Sequence, residues 1–290
     1  MAKIIRPQWI KAKAPGGENY RKVKQTLDTY GLHTVCESAN CPNVGECFEE
    51  LTATFMILGD TCTRSCQFCA VKKGTPSSPV AAEPESLAMA VKELGLRYVV
   101  ITSVTRDDLP DGGAECFAET ITCVKKYMPE CKVEVLIPDF KGSLDAIEKV
   151  VKAGPDVLNH NIETIERLYS RARPQADYRQ SLGVIETALR LNPDITTKSG
   201  LMVGLGEIAE EMSQTMVDLV NAGCQLLTIG QYLSPSDRHL PVERYYSPEE
   251  FAYWGSRAEA IGFKKVESGP LVRSSYHASV QYNQANVPGL

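Results

Sequence analysis

Six of the ten cysteines in this chain lie between Cys36 and Cys69, in two groups whose spacings suit metal chemistry. The sharper group is Cys62-Thr63-Arg64-Ser65-Cys66-Gln67-Phe68-Cys69. Three thiolates on one short loop can hold three corners of a cubane iron–sulfur cluster, which ordinarily takes four ligands, so one iron would stay open. A structural zinc ion is the alternative, but it wants four closed protein ligands and commonly draws them from paired CxxC spacings. The second group, Cys36-x4-Cys41-x5-Cys47, is less selective. His33 stands three residues before Cys36, so the spacing admits a Cys3His zinc site as readily as a cluster.

Other candidates are weaker when taken alone. Gly200-Leu201-Met202-Val203-Gly204-Leu205-Gly206-Glu207 reads as a strand giving way to glycines before a helix, a place where a backbone can approach a ligand closely. Thr102-Ser103 and the group Asn159, Asn161 and Glu163 are polar residues at the ends of expected strands. Cys116, Cys123, Cys131 and Cys224 have no ligand spacing, and the first two, seven apart on one expected helix, read as small buried hydrophobes. His160 reads as structural.

These residues need a scaffold. Downstream of the cysteines, short β-branched runs alternate with longer segments of helical period, the signature of βα units around a parallel sheet. The expected strands are Thr54–Leu58, Arg97–Ser103, Lys132–Pro138, Asp156–His160, Ile195–Val203 and Leu226–Gly230. The helices that follow them are Pro84–Leu94, Gly113–Met128, Gly142–Ala153, Tyr178–Leu191, Glu207–Ala222 and Pro248–Ile261. Six such units form an open doubly wound sheet or a barrel, and periodicity does not choose between them. The first strand is followed by Gly59-Asp60-Thr61-Cys62 in place of GxGxxG, so a dinucleotide site of Rossmann type has no support. The expected organisation is an N-terminal extension over 1–53, a core over 54–267 and a C-terminal tail over 268–290.

The chain has 290 residues, 43% of them hydrophobic and 23% charged, as expected of a globular protein with a substantial core. No apolar run approaches the roughly 18 residues of a membrane span, so no membrane role is expected. The formal charge of −5, from 31 basic and 36 acidic residues, offers no global field for nucleic acid. The N-terminal stretch has neither a secretory h-region nor an Arg-rich amphipathic run, which with unpaired cysteines indicates the cytoplasm.

The CxxxCxΦC loop, with aromatic Phe68 before its last cysteine, resembles the signature of the radical S-adenosylmethionine (SAM) superfamily. The glycine-rich stretch at 200–207 resembles that superfamily's GxIxGxxE element. CESANCPNVGEC, CTRSCQFC, TRDDLPDGGA at 105–114, NHNIET at 159–164 and GPLVRSSYHA at 269–278 together resemble the lipoyl synthase family over nearly the entire chain. A methylthiotransferase acting on RNA, the rival radical enzyme with a second cluster, is disfavoured by the charge balance.

The resemblance implies a partial (β/α)6 barrel with two [4Fe–4S] clusters per chain and SAM as cofactor. Cys62, Cys66 and Cys69 would hold the first cluster, whose open iron binds SAM and delivers the electron that cleaves it. Phe68, Thr102, Ser103, Asn159, Asn161, Glu163, Arg173 and Gly204 would contact SAM. Cys36, Cys41 and Cys47 would hold the auxiliary cluster, completed by Ser275 of Arg273-Ser274-Ser275-Tyr276 in preference to Ser274. The reaction implied is radical insertion of two sulfur atoms at C6 and C8 of an octanoyl chain, with sulfur from the auxiliary cluster. The octanoyl group rides on a lysine of a lipoyl-carrier domain, as in 2-oxoacid dehydrogenase E2 subunits and the glycine cleavage H protein. Ferredoxin or flavodoxin would supply electrons. Such carriers are commonly acidic, so Arg106, Arg171 and Arg173 are candidates to face them, and the turn-rich loop at 105–113 is expected to line a pocket.

Overall fold

The structure is a computed structural model that describes residues 5–286, so the outermost parts of the expected extensions, 1–4 and 287–290, lie outside the described residues. The six expected βα units are present with bounds shifted by at most two residues. The chain opens with α1 (Glu18–Tyr30), β1 (His33–Thr34), α2 (Val35–Ser38) and α3 (Val44–Glu49). Then come β2 (Thr54–Ile57) and the short strands β3 (Thr61–Cys62) and β4 (Lys72–Lys73). The alternation continues as α4 (Glu83–Leu94), β5 (Tyr98–Ser103), α5 (Ala114–Tyr127), β6 (Lys132–Leu136), α6 (Leu144–Lys152) and β7 (Val157–Asn159). It ends with α7 (Tyr169–Ala172), α8 (Tyr178–Leu191), β8 (Thr196–Val203), α9 (Ala209–Asn221), β9 (Leu226–Gln231), α10 (Pro248–Ile261), β10 (Lys265–Gly269) and α11 (Ala278–Asn286).

The helices start and stop for local reasons. Ser143, Asp177 and Ser247 accept a backbone N–H from the first turns of α6, α8 and α10, while Gly31 and Gly95 end α1 and α4 in the left-handed conformation. Among the elements that were not expected, three bear on the fold. Helix α1 is mostly polar and buries only Val23, Thr26 and Leu27, too thin a stripe to read from the sequence. Strand β10 carries Lys, Glu, Ser and Gly, and it pairs in parallel with β9 across the expected boundary at 267. Helix α11 lies in the stretch read as a tail.

The principal sheet has eight strands in the order β1-β2-β5-β6-β7-β8-β9-β10, parallel throughout except for β1 against β2. Strand order follows chain order without reversal, whereas a doubly wound sheet must reverse to cover both faces. Repeated right-handed crossovers in one direction keep the connecting helices on one face. Alternate residues confirm the division. Val99, Ile101, Val133, Val135, Leu158, Leu201 and Val203 pack into the apolar cores, while their neighbours Thr102, Glu134, Asn159 and Lys198 are buried and polar.

Part of that polar face is satisfied by its own ion pair and by the C-terminal segment. Lys198 lies 3.1 Å from Glu134, both fully buried, and Tyr98 Oη and Asn159 Nδ2 also donate to the Glu134 carboxylate at 2.5 and 3.1 Å. The last residues then run from one end of the sheet to the other. The carbonyl of Val272 lies so close to Gly230 that a Cβ there would meet it at 2.1 Å, and Gln281 Nε2 donates to Leu227 O at 2.9 Å. Tyr282 of α11 packs on Tyr98 at 5.8 Å between ring centroids.

Removing one partner of a buried ion pair strands the other. Lys198→Met should therefore cost about 3–5 kcal/mol in denaturant unfolding. The double variant Lys198→Met, Glu134→Gln should recover much of that loss, because an amide has no charge to compensate, its oxygen still accepts from Asn159 and its NH2 can donate to the Tyr98 hydroxyl.

Candidate active site

The first cysteine loop hangs between β3 and β4, past the C-terminal end of β2, and neighbouring elements hold it at several points. Thr63 N donates to Thr105 O at 3.0 Å, Gln67 N to Ala172 O at 2.8 Å, and Leu240 N to Gln67 O at 3.0 Å. His239 Nε2 donates to Cys69 O at 3.0 Å. Arg64, buried inside the motif, forms charge-assisted bonds to both oxygens of Asp139 at 2.7 and 2.8 Å and to both of Asp107 at 2.7 and 3.0 Å. Burial pushes the Asp139 carboxyl up, but Arg64 outweighs it and holds the group at about 2. Burial also raises the Cys66 thiol and pushes Cys69 up to about 12. Thiols in such surroundings become thiolates when a metal takes the proton's place.

The second set assembles from three parts of the chain. Cys36 lies in the first turn of α2, where Thr34 accepts from Glu37 N, Cys41 follows that helix, and Cys47 is in α3. They line a small cavity with Thr54 of β2 and with Arg273 and Ser275 of the C-terminal segment. Thr54 Oγ1 donates to Ser275 Oγ at 2.7 Å, and Asn43 Nδ2 donates to Leu271 O at 2.7 Å, tying the segment down. Burial pushes Cys36 up to about 11 and Cys47 to about 12. His33 is not in this cavity. Strand alternation turns it outward, and it lines a separate cleft with Asp60 and Glu83, which removes the fourth ligand of the zinc alternative. Among the described residues, no three His, Cys, Asp or Glu side chains converge tightly enough for a single metal ion. Zinc needs sulfurs at about 2.3 Å from one point, whereas a cubane spreads its ligands over separate corners.

The two serines of the RSSY sequence diverge. Ser275 faces the cysteine cavity, whereas Ser274 Oγ accepts from Asn161 Nδ2 at 2.6 Å. Asn161 Nδ2 also donates to Glu163 Oε1 at 3.0 Å. Glu163 has a left-handed backbone, φ 65°, and is held beside β8 by Glu163 N to Gly200 O and Met202 N to Glu163 O. Burial raises its carboxyl, against the opposing pull of Arg173 and Asn161. Ser103 Oγ, Asn159 Oδ1, Asn161 Oδ1 and Arg173 Nε are buried without a hydrogen-bond partner in the protein. Donors and acceptors are thus left over at the strand ends where the first cysteine loop lies.

Other expected residues have protein partners. Thr102 Oγ1 donates to Leu136 O at 3.0 Å, and Phe68 packs against the apolar core of β8–β10. Gly204, φ 98°, turns the chain so that its N–H reaches Glu207 at 2.6 Å, and the space a side chain would need there is filled by Gln231 and the carbonyl of Arg244. Arg106 does not face a partner. It is 2% exposed and bound to Asp108, since a guanidinium in the 105–113 turn finds its carboxylate two residues away. Arg173 is buried too, donating to Asn161 O and Tyr169 Oη, while Arg171 is exposed and paired with Glu243. Cys116 is half-buried beside Glu83, Cys123 is half-buried, and Cys131 and Cys224 are buried. The Arg64 clamp escaped the sequence reading because Asp139 is 75 residues away and no local pattern joins them.

Comparison with known proteins decides the family. Residues 56–219 match the family model of the radical SAM superfamily, and residues 2–41 match the N-terminal domain of lipoyl synthase of the radical SAM family. Lipoyl synthase of Rubrobacter xylanophilus is 57% identical over 280 residues, covering 97% of this chain and 87% of that one. That of Caldanaerobacter subterraneus subsp. tengcongensis is 54% identical, covering 96% and 97%. The chain belongs to the lipoyl synthase family. Among solved structures, HydG, a maturase of the [FeFe]-hydrogenase, superimposes with a TM-score of 0.53 at 15% identity, over 91% of this chain and 74% of that one. Methylornithine synthase does so with 0.54 at 14%, over 72% and 62%. These likenesses bear on the fold alone. As a radical SAM enzyme, this lipoyl synthase family member uses a [4Fe–4S] cluster and SAM.

His160, between Asn159 and Asn161, serves the scaffold. Its Nδ1 donates to Ile137 O at 2.8 Å, and burial first, then the Arg173 cation, pull it from 6.5 down to about 4. Below pH 6.5 the unfolded chain therefore takes up a proton that the folded chain refuses, and stability falls as the pH drops toward 4. Between pH 7 and 5 this group should remove about 2 kcal/mol of stability. Denaturation of His160→Gln at the two pH values should show a correspondingly smaller drop than the parent.

Proposed function

We propose that this chain converts an octanoyl group, carried in amide linkage on a lysine of a lipoyl-carrier domain, into a lipoyl group by placing sulfur at C6 and C8. The observation that carries this reading is the pairing of one three-cysteine loop past the end of β2 with a second three-cysteine cavity that includes Ser275. We read the unreversed sheet as a partial (β/α)6 barrel over 54–267, with 1–53 and 268–290 as the extensions that build the second centre.

In this reading Cys62, Cys66 and Cys69 hold the first [4Fe–4S] cluster, leaving an iron for SAM. The leftover atoms suit SAM's methionine part: Asn159 Oδ1, Asn161 Oδ1 and the Glu163 carboxylate accept from an ammonium, while Ser103 Oγ and Arg173 Nε donate to a carboxylate. Gly204 shapes the turn beside them, Thr102 braces the strand end, and Phe68 packs the loop onto the core. Cys36, Cys41, Cys47 and Ser275 hold the second [4Fe–4S] cluster. A serine oxygen is a harder and less matched ligand for iron than a thiolate, so it makes a corner that can be released. When bound, these groups supply a carbon radical able to take hydrogen from an unactivated C–H bond, and the sulfur to replace it. The protein's part is to hold the two centres on one buried, polar face of the sheet and to exclude water from it.

Octanoylated 2-oxoacid dehydrogenase E2 subunits and the glycine cleavage H protein are the proposed substrates, and ferredoxin or flavodoxin the electron donor. Of the basic residues weighed for carrier docking, Arg171 alone is exposed. All ten cysteines are unpaired, which supports a reducing cytoplasm, and no described helix is long and apolar enough to cross a membrane.

Reconstituted protein given SAM, reductant and an octanoyl-lysine peptide should yield a product heavier by two sulfurs, read by mass analysis. Cys62→Ala should abolish 5′-deoxyadenosine formation. Cys36→Ala should keep it and lose sulfur transfer, and lipoyl product from that variant would sink the sacrificial role. Ser275→Ala should lower the iron content of the second centre and spare the first, whereas unchanged iron and turnover would count against serine ligation.

A further inference from the structure

We propose that Ser274 is a positioning residue that fixes the Asn161 side chain, so that SAM binding depends on the C-terminal segment being docked. The inference rests on the reading of Asn161 and Glu163 as SAM contacts, and it adds a residue and a coupling which that reading does not contain.

The amide of Asn161 has two N–H donors, and both are taken, one by Ser274 Oγ at 2.6 Å and one by Glu163 Oε1 at 3.0 Å. The Glu163 carboxylate can only accept, so the amide cannot turn over without losing that bond, and with Ser274 holding the other N–H, Oδ1 is committed to the remaining direction. That oxygen is buried and has no partner, and the residue is 8% exposed. Gly200 completes the seat: a Cβ there would lie 2.7 Å from Asn161 Oδ1. The first glycine of the glycine-rich stretch therefore makes room for a protein side chain.

Ser274 is one residue before Ser275, whose hydroxyl is bonded to Thr54 beside the second cysteine set. Asn161 in turn donates to Glu163, two residues on. A path of short hydrogen bonds and adjacent residues thus runs from the second cysteine set to Glu163, and Ser274 is its middle link. Coupling between sites is reciprocal, so if docking of the segment orders Asn161 for SAM, then SAM must tighten the docking.

The test measures SAM binding to the reconstituted protein by equilibrium dialysis, iron content per chain, and hydrogen exchange of residues 271–276. Ser274→Ala should weaken SAM binding about ten-fold, within the usual range of such couplings, with iron content unchanged. Ser274→Thr keeps the acceptor and should restore binding. Gly200→Ala should weaken it similarly by displacing Asn161. In the parent, SAM should slow exchange at 271–276, and in Ser274→Ala that protection should be lost. If Asn161→Ala binds SAM weakly while Ser274→Ala binds it normally, the positioning role is wrong. If Asn161→Ala itself binds SAM normally, the SAM reading fails and takes this inference with it. Loss of iron in Ser274→Ala with Ser275→Ala intact would overturn the assignment of both serines.

Discussion

The inner face of the sheet is buried and polar, and its groups must be satisfied without water. Glu134, Lys198, Asn159 and Asn161 sit where a parallel sheet would ordinarily carry Val, Ile or Leu. An unpaired charge or amide there would cost far more than a surface one. Glu134 and Lys198 neutralise each other, with Tyr98 and Asn159 completing the carboxylate's bonds. The C-terminal segment adds further contacts: Val272 against Gly230, Ser274 to Asn161, Ser275 to Thr54, and Gln281 to Leu227 O. The segment is part of the site's construction, since without it the second cysteine cavity has no wall on the side of Ser275.

A second constraint acts on the first cysteine loop. Between β3 and β4 the residues after Cys62 form no helix or strand of their own, and their conformation is held by their surroundings. Arg64 reaches across to Asp107 and Asp139, and the carbonyls of Thr105 and Ala172 and the N–H of Leu240 hold the loop at other points. These anchors come from the ends of several different βα units. The loop is therefore fastened to the sheet beneath it at several points.

The alternating βα pattern was legible in the sequence because each unit obeys local rules: β-branched strands, helices of 3.6-residue period, and capping residues such as Ser143 and Ser247. Helix α1 and strand β10 were not, because one buries a thin stripe and the other is polar, and both are held by contacts with distant elements. The two cysteine groups announced themselves by spacing, as did the motif blocks from which the family resemblance was drawn. Arg106 and Arg173 misled, since exposure is the usual condition of arginine and nothing local shows that Asp108 and the Asn161 carbonyl bury them.

Sequence alone determined which residue types are available and in what order along the chain: three thiols in one loop, three in another, two adjacent serines near the end. Spacing alone could not choose between a cluster and a zinc ion at Cys36, nor see what each serine touches. Tertiary structure shows where His33 and the two serines go. Strand alternation turns His33 away from the cysteines, and the C-terminal segment crosses the sheet so that Ser275 meets Thr54 while Ser274 meets Asn161. The physical reason is distance along the chain. Ser275 is 221 residues from Thr54, and a contact of that range is fixed by packing and by the demand of buried polar groups for partners, which no local spacing encodes.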